Sequence, residues 1–348
     1  MNQVDDLAVT AGDDQAISGG WPRAGIRKIL FATDLSTCSR QAFAPVAALA
    51  RRFEAELHLF HAVVLFGQGP HEPMFCEPAS DEAYAAAAGA AEKKLAALAG
   101  SSCAQGTKLV TVQRAAFGAA AAILEYAEEA EIDLVVMGTH GRSGAGRLLL
   151  GSVAEEVMRR VSLPVLVMRD LGDGKNRPLP QVRHIVVPVD YSLSAHEALL
   201  AAGDVAMRYG ARLTLLHVIE EHAWAEAYRE SVPAVLPPRQ ELSRSTELRL
   251  RVGARMLPCG VPYDLEILRG EPAVEIVAFA ERTGADLIVM SSRGLRGIER
   301  LVFGSTAESV IRSADPPVMV LHPAVRSDAL ALRGRVLAGA QRATASAS

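Results

Sequence analysis

Short apolar runs alternate along the chain with longer stretches that mix apolar and polar residues in the manner of amphipathic helices. In the first half the apolar runs predict strands at 27–33, 55–61, 108–115, 133–137 and 164–168. The stretches between them predict helices at 39–53, 81–99, 119–131 and 153–160. Strands that alternate with helices indicate a parallel sheet with helices on both faces. The fourth run is apolar throughout, which is typical of a strand buried on both sides.

The second half repeats this order about 153 residues further along the chain. It predicts strands at 184–189, 211–218, 263–268, 286–290 and 317–321 and helices at 194–209, 241–257 and 273–283, with a short helix before the last strand. Repetition at domain length indicates a duplicated folding unit, because a solenoid would repeat every 20–50 residues or so. The predicted organisation is a disordered segment 1–25, a first unit 26–169, a linker 170–181, a second unit 182–323 and an Ala/Ser/Arg-rich tail 324–348.

Composition narrows the class of protein. A chain of 348 residues suggests about two domains. The net charge of –4 gives no overall basic field, so we expect no nucleic-acid partner. The four cysteines form no C-x-x-C pair, which argues against a metal cage and a disulfide framework. Segment 1–20 lacks the apolar core of a signal peptide, and no apolar run is long enough for a membrane span. We therefore expect a cytoplasmic protein.

A glycine loop follows the fourth predicted strand of each unit. In the first unit Gly138 and Gly141 are followed after nine residues by Gly151-Ser152. In the second unit the corresponding residues are Ser291, Gly294 and Gly304-Ser305, with the same nine-residue spacing. No Walker-type G-x-x-x-x-G-K-[ST] occurs, and the glycines after Gly141 do not match a dinucleotide fingerprint.

The loop and an acidic residue predict a nucleotide site. Ligands of an open parallel sheet bind beyond the carboxyl ends of the strands, where the strand order reverses. Asp34 and Asp190 end the first strand of their units, so each would face the glycine loop if the first and fourth strands are neighbours. A helix that starts at Gly-Ser attracts an anion, and Arg142 adds a nearby cation. The carboxylate suits a ribose hydroxyl or a base amino group.

Together these residues resemble the universal stress protein family, over roughly 290 of the 348 residues. The resemblance implies two tandem Rossmann-like, adenine-nucleotide alpha-hydrolase-like domains, each with a five-stranded parallel sheet of order 3-2-1-4-5. It also implies ATP binding in one branch of the family. The residues that match its binding motif in the first unit are Thr33, Asp34, Leu35, Ala62, Met137, Gly138, Gly141, Gly151, Ser152 and Val153. Those in the second unit are Asp190, Val218, Met290, Gly294, Gly304, Ser305 and Thr306.

The resemblance also bears on assembly. Family members commonly pair through their last strands, so 164–168 and 317–321 are expected to pair within this chain, and a further homodimer stays open. Two residues depart from the family's motif, one in each unit. We favour nucleotide binding in the first unit over the second. Ser291 replaces the first loop glycine, which matters only if that position needs a positive φ or a close ligand approach. Phe117 stands where the second unit has Gly270, and would either narrow the pocket or pack against a helix.

Three functions remain open from the sequence. The first is a regulator or sensor in the stress response that binds ATP, ADP or AMP, with loops 64–80 and 222–240 responding and an unidentified protein as partner. The second is a slow Mg-dependent ATPase, although no base–nucleophile arrangement or metal site is predicted. The third is a nucleotide-free interaction scaffold. His61 and His217 recur in register, and we interpret them as packed strand-end histidines that bond to the backbone rather than as catalytic residues.

Overall fold

The structure, a computed structural model, describes residues 21–22, 25–64, 81–138, 150–169, 181–220, 239–293 and 303–322. The strands of the first unit are β1 (Lys28–Ala32), β2 (Glu56–Val64), β3 (Lys108–Ala116), β4 (Leu134–Gly138) and β5 (Val165–Met168). Its helices are α1 (Thr37–Phe53), α2 (Asp81–Ala99), α3 (Ala119–Glu129) and α4 (Ser152–Arg160), with a 3-10 turn at Ser102–Ala104. Each element lies within a few residues of its prediction. The largest extension is that of β2, which continues to Val64.

The second unit repeats these elements. Its strands are β6 (His184–Pro188), β7 (Arg212–Ile219), β8 (Tyr263–Arg269), β9 (Leu287–Ser291) and β10 (Val318–Leu321). Its helices are α5 (Leu193–Tyr209), α6 (Arg239–Ala254), α7 (Pro272–Thr283) and α8 (Ser305–Ser313). Among the described residues, none of the helices has both the length and the hydropathy that crossing a membrane requires.

All ten strands belong to one sheet, in the order β3-β2-β1-β4-β5-β10-β9-β6-β7-β8. Within each unit the order is therefore 3-2-1-4-5 and the pairing is parallel, which confirms the predicted fold class. The two units meet where β10 pairs with β5 in antiparallel fashion, with Met319 opposite Leu166. This is the pairing of last strands within one chain that the resemblance implied.

Each face of the sheet carries a hydrophobic core that continues from one unit into the other. Buried residues of α1, α2, α5 and α6 pack on one face, and those of α3, α4, α7 and α8 pack on the other. At the seam, Leu166 and Met319 belong to the first core, whereas Val165 and Val318 belong to the second. Side chains alternate between the faces of a strand, so the short seam strands contribute to both cores.

Helices α1 and α5 lie side by side across the boundary between the units. The Arg52 guanidinium lies 5.1 Å from the ring centroid of Tyr209, and that of Arg208 lies 4.8 Å from the ring of Phe53. Because Arg52 and Arg208 hold the same position in the repeat, as do Phe53 and Tyr209, the two contacts are reciprocal. The units are thus related by a pseudo-twofold axis near the ends of these helices. Trp21 also binds here, donating from Nε1 to Asp204 Oδ2 of α5 at 2.7 Å.

Candidate functional site

The predicted binding residues of the first unit meet at the carboxyl edge of the sheet. Ala32, the last residue of β1, pairs with Phe60 on one side and with Met137 on the other. The residues that follow each of these three therefore lie next to one another. Thr33-Asp34, His61-Ala62 and Gly138 come together in this way, and β1 and β4 are neighbours as the site requires.

A strained turn holds the aspartate in each unit. Asp34 Oδ1 accepts a hydrogen bond from the amide of Ser36 at 3.0 Å, and Leu35 between them has φ 61°. In the second unit Asp190 Oδ1 accepts from the amide of Ser192 at 3.0 Å and from its hydroxyl at 2.6 Å. Tyr191 has φ 64°. A left-handed conformation is unfavourable for Leu and Tyr, so its presence in both copies indicates that the turn itself is required.

The serine of this turn also begins the following helix. Ser36 Oγ accepts from the amide of Ser39 at 3.2 Å, and Ser192 Oγ accepts from the amide of Ala195 at 3.1 Å. Both are N-cap residues. The aspartates therefore orient the turn instead of capping the helix. Each carboxylate thus lies at the start of the loop between the first strand and the first helix of its unit.

The recurring histidines bond to the backbone, which confirms their interpretation as packed strand-end residues. His61 Nδ1 donates to the carbonyl oxygen of Thr33 at 2.7 Å, and His217 Nδ1 donates to that of Val189 at 2.6 Å. Each imidazole thus joins the end of the second strand to the turn that holds the aspartate. Burial is the main cause that lowers the pKa of His217, so the ring is neutral near pH 7.

The helices that follow the glycine loops begin without a side-chain cap. The N-cap residues are Gly151 for α4 and Gly304 for α8, and neither first turn receives a side-chain hydrogen bond from its cap. A Cβ on Gly304 would lie 3.0 Å from the carbonyl oxygen of Ser292, so the backbone approaches this glycine closely and would have to shift slightly to admit a larger residue. The first-turn N–H groups of such a helix and its dipole favour an anion.

The remaining predicted residues differ in how deeply they are buried. Met137 and Met290 are buried in the core beneath the site. Ser152 and Val153 are exposed at the start of α4, and Ser305 is exposed at the start of α8. Ala62 and Val218 are partly buried at the ends of β2 and β7, and Thr306 is partly buried in the first turn of α8. Three predicted residues, Gly141, Arg142 and Gly294, lie outside the described residues.

Ser291 is an ordinary strand end. It is the last residue of β9, pairs with Leu321, and is not among the described residues with a positive φ. Its hydroxyl donates to the carbonyl oxygen of Arg293 at 2.8 Å, and the Ser194 hydroxyl donates to the same oxygen at 3.0 Å. Glycine is not needed there for its conformation. The Arg293 carbonyl oxygen thus joins the end of β9, through Ser291, to the start of helix α5, through Ser194.

The first residue after the third strand of each unit is Phe117 in the first unit and Gly270 in the second. The Phe117 side chain is 72% exposed, which is not the burial expected of a residue packed against a helix. Its counterpart Gly270 has φ 142°, and a Cβ there would lie 2.8 Å from a carboxylate oxygen of Glu275. The second unit therefore requires glycine at this position, whereas the first unit carries an exposed aromatic ring.

Three residues near the second site were missed from the sequence. The ring of Tyr191 lies 4.6 Å from that of His217, and its hydroxyl donates to the carbonyl oxygen of Thr246 at 3.1 Å. Burial raises the pKa of Tyr191 to about 12. His322 and Ser292, which follow the neighbouring strands β10 and β9, are buried, and His322 Nε2 and Ser292 Oγ have no hydrogen-bond partner. No local pattern distinguishes these residues, because their burial depends on strands distant in sequence.

A cleft of about 380 Å³ lies at the opposite edge of the sheet. Its walls are residues from the amino ends of β1, β2, β3 and β4, namely Arg27, Lys28, Glu54, Glu56, Lys108, Glu131 and Asp133. Asp133 accepts from the amides of Arg27 and Lys28 at 2.8 and 2.9 Å, which holds β4 to β1. The walls carry three positive and four negative side chains, and the cleft lies at the edge of the sheet opposite the predicted site.

Comparison with known proteins gives consistent matches to one family. The model of the universal stress protein family matches residues 25–169 and 181–322. A universal stress protein of Mycobacterium tuberculosis is 32% identical over 200 residues, which are 57% of this chain and 64% of that protein. The chain thus spans less than two thirds of the length of that relative. A universal stress protein of Methanocaldococcus jannaschii is 35% identical over 143 residues, 40% of this chain and 81% of that protein.

Solved structures show the same fold. The crystal structure of a universal stress protein from Archaeoglobus fulgidus aligns with a TM-score of 0.62 at 24% identity. The alignment covers 85% of this chain and 98% of that chain. The likeness therefore extends over both units and not over a single one.

Proposed function

The chain belongs to the universal stress protein family, and we propose that it binds an adenine nucleotide at the carboxyl edge of each unit and acts as a stress-response regulator. In the first unit the site lies at the ends of β1 and β4, and in the second at the ends of β6 and β9. The observation that carries the proposal is the meeting of Asp34, Ala62 and Gly138 through the pairing of Ala32 with both neighbouring strands.

The two ends of a nucleotide fit the two sides of this edge. The carboxylate of Asp34 stands in the strained turn, where it suits a ribose hydroxyl or a base amino group, and the apolar Ala62 lies beside it. The uncapped start of α4 suits phosphates, because its amides and its dipole favour negative charge. The exposed Ser152 hydroxyl adds a donor at the same helix end. Mg²⁺ would accompany the phosphates of ATP.

The second site keeps this plan with different side chains around the aspartate. Tyr191 replaces Leu35, and its ring packs against that of His217 at a tilt of 36°. The guanidinium group of Arg249, a residue of α6, lies 5.6 Å from the centroid of the Tyr191 ring. Pro188 ends β6 where the first unit has Ala32, and β6 pairs with β9 only as far as Val186. Proline has no amide N–H, so it cannot extend the ladder. We expect both sites to bind, with different affinities.

Calorimetric titration of the intact protein with ATP, ADP and AMP tests the proposal. Ser152→Asp and Ser305→Asp place a carboxylate at the exposed first residue of α4 and of α8, where it repels a phosphate. Aspartate is favourable in the first turn of a helix, so these variants keep their fold. We expect each variant to lose one of two sites. The neutral controls Ser152→Asn and Ser305→Asn should retain both sites.

The outcomes separate the alternatives. If only Ser152→Asp removes binding, the second unit does not bind nucleotide and supports the first. If the intact protein binds none of the three nucleotides, and denaturation of the purified protein releases none, nucleotide-dependent regulation is wrong. An equal loss of affinity in the aspartate and asparagine variants would mean that no phosphate lies at these helix ends.

A further inference from the structure

Helices α5 and α6 of the second unit expose an apolar surface bordered by arginines. Met207 of α5 is 58% exposed. Three residues spaced four apart are also exposed, Leu248 (64%) and Val252 (55%) on the outer side of α6 and Met256 (43%) in the turn that follows it. Arg251 and Arg255 are exposed beside them, and Arg251 also pairs with Glu247 of the same helix at 2.7 Å. We call the four apolar residues and the two arginines the apolar–arginine face. A face that combines apolar and basic side chains fits an acidic segment with apolar residues.

The first unit provides an internal comparison, because its helices occupy the same places in the fold. Buried Ala91 and Leu95 of α2 correspond to buried Thr246 and Leu250 of α6. In that register Leu248, Val252 and Met256 correspond to Lys93, Ala97 and Ser101, and Met207 corresponds to Arg51. The Arg51 guanidinium donates to the carbonyl oxygen of Cys103 at 2.8 Å and to Thr107 Oγ1 at 3.0 Å. The fold itself therefore does not require an apolar surface here.

Residues 1–20 have the composition that complements this face. They contain Asp5, Asp6, Asp13 and Asp14 and no Lys, Arg or His. The aspartates lie next to apolar residues, as in Val4-Asp-Asp-Leu-Ala-Val9. The tail 323–348 is the opposite, with four arginines and one aspartate, so the arginines of the face would repel it.

The point where this segment joins the described chain also favours the same occupant. Trp21 donates a hydrogen bond to Asp204 of α5. The preceding residue of that helix, Gly203, lies against Pro258 just beyond α6. Both contacts lie at the ends of α5 and α6 that face the amino edge of the sheet, as do Met207, Val252 and Met256. The acidic residues of 221–238 join the fold between β7 and α6, at the other edge.

We propose that residues 1–20 fold back from Trp21 and bind the apolar–arginine face, with Val4, Leu7 and Val9 on its apolar residues and the aspartates beside its arginines. Twenty extended residues span at most about 70 Å, whereas α6 is about 24 Å long, so the segment reaches the whole face. A short tether gives an effective concentration on the order of millimolar, so a weak intrinsic affinity is sufficient. The contact does not depend on nucleotide.

Cys259 offers a natural position for a probe, because it is exposed and lies four residues beyond Arg255. The reference protein is the full chain with Cys38, Cys76 and Cys103 replaced by alanine and a nitroxide on Cys259. In its nuclear magnetic resonance spectrum we expect the amide signals of residues 4–9 to lose most of their intensity. The signals should recover in Val252→Ser/Met256→Ser, whose substitutions are exposed and leave the core unchanged.

A second probe, on the first unit, tests whether residues 1–20 approach α6 only because their attachment at Trp21 lies nearby. Ala97→Cys in a Cys259→Ala background places the nitroxide on α2 at the position equivalent to Val252. Because Trp21 joins α5 near the pseudo-twofold axis, a segment without a preferred site would approach α2 and α6 alike. We expect no loss of signal with this probe. Equal losses from both probes would overturn the proposal.

Charge exchange provides the sharpest test. Arg251→Glu/Arg255→Glu should restore the signals of residues 4–9, and adding Asp5→Lys/Asp6→Lys should remove them again. Unchanged signals in the reference protein would overturn the proposal, as would losses in residues 221–238 or 323–348 instead. In a mixture of isotope-labelled chains without nitroxide and unlabelled chains with it, broadening would show that a second copy occupies the face, which also overturns the proposal.

Discussion

At the scale of single residues, two of the strained backbone positions recur at equivalent places in both units. Among the described residues, four non-glycine residues have a positive φ: Leu35, Glu54, Glu131 and Tyr191. Leu35 and Tyr191 hold equivalent positions after the site aspartates, so both copies of the repeat keep the strain. At the end of α1, by contrast, Glu54 is left-handed where α5 ends in Gly210. The strain beside the proposed binding aspartates is thus kept in both copies, whereas glycine relieves the strain at the end of the first helix in the other copy.

The helix ends give a reciprocal prediction of stability. Glu54→Gly should raise the free energy of unfolding by about 1 kcal/mol, because glycine accepts the left-handed conformation without steric cost. Gly210→Ala should lower it by a similar amount. No atom lies within 4 Å of the added Cβ, so that loss reports conformation alone. Urea denaturation measures both, and changes of the same sign would contradict the interpretation.

A buried histidine predicts a pH dependence of stability. Burial, assisted by the positive charge of Arg293, lowers the pKa of His322 to about 4 from its ordinary value of 6.5. The unfolded chain therefore takes up this proton near pH 6.5, whereas the folded protein does so only near pH 4. Stability should be unaffected by this group above pH 6.5 and decline below it, by about 3 kcal/mol once pH 4 is reached.

Two variants isolate this contribution. His322→Leu and His322→Gln both lack the titrating group, so each should lose less stability than the parent protein between pH 6.5 and 4. Leucine also removes the buried nitrogen that has no hydrogen-bond partner, so it should not destabilise the protein at pH 7. Equal pH dependence in the parent protein and both variants, measured by thermal denaturation, would show that His322 has the same pKa in the folded and the unfolded protein.

The sequence predicted those features of the site that depend on position along a strand or turn. Asp34, His61 and Gly151 could be placed because each ends or follows a strongly apolar run. The sequence did not reveal that the ring of Tyr191 packs against that of His217. That contact depends on the path of the turn and on α6, where Thr246 accepts a hydrogen bond from the Tyr191 hydroxyl. Nor did the sequence reveal that His322 is buried with no hydrogen bond to Nε2, because this requires knowing that β10 lies between β5 and β9.

At the scale of elements, two glycines lie where α5 packs against α6 and the residues just beyond it. Gly203 of α5 faces Pro258, and Gly253 of α6 faces Leu199. A Cβ on Gly203 would lie 2.6 Å from Pro258 Cδ, whereas one on Gly253 would lie 3.8 Å from Leu199 Cδ2, an ordinary contact. Glycine is therefore required at the first position and merely tolerated at the second.

Alanine substitution should separate the two positions. Gly203→Ala overpacks the contact and should cost about 1–3 kcal/mol of stability. Gly253→Ala should stabilise the protein by about 0.5–1 kcal/mol, because alanine restricts the unfolded chain and favours the helix. Chemical denaturation checks both values. Stabilisation by Gly203→Ala would mean that Pro258 does not lie against α5.

Helix and strand positions were predicted well because periodicity is local, and buried parallel strands give unbroken apolar runs. The arrangement of the helices was less accessible. Arg52 and Arg208 read as surface charges, yet each lies over an aromatic ring of the other unit. An arginine near the end of a helix has no sequence feature that identifies a partner more than 150 residues away.

At the scale of the whole molecule, the duplication has produced one continuous structure. The antiparallel pairing of β5 with β10 closes the inner edges of both half-sheets, which would otherwise be open to pairing with other chains. Because both cores also continue across this seam, neither unit can unfold without exposing apolar surface of the other. Trp21 and the reciprocal arginine contacts add further links between α5 and the first unit.

This continuity predicts a single cooperative unfolding transition. Leu59 and Leu215 are equivalent, fully buried residues of the first and second unit in one core. Leu59→Ala and Leu215→Ala should each cost about 2–5 kcal/mol and lower the midpoint of the same transition. Differential scanning calorimetry should give equal calorimetric and van't Hoff enthalpies for the parent protein and both variants. If Leu215→Ala instead produced an early transition with the remaining heat absorbed at the original midpoint, the units would unfold independently and the seam would be only a contact between two domains.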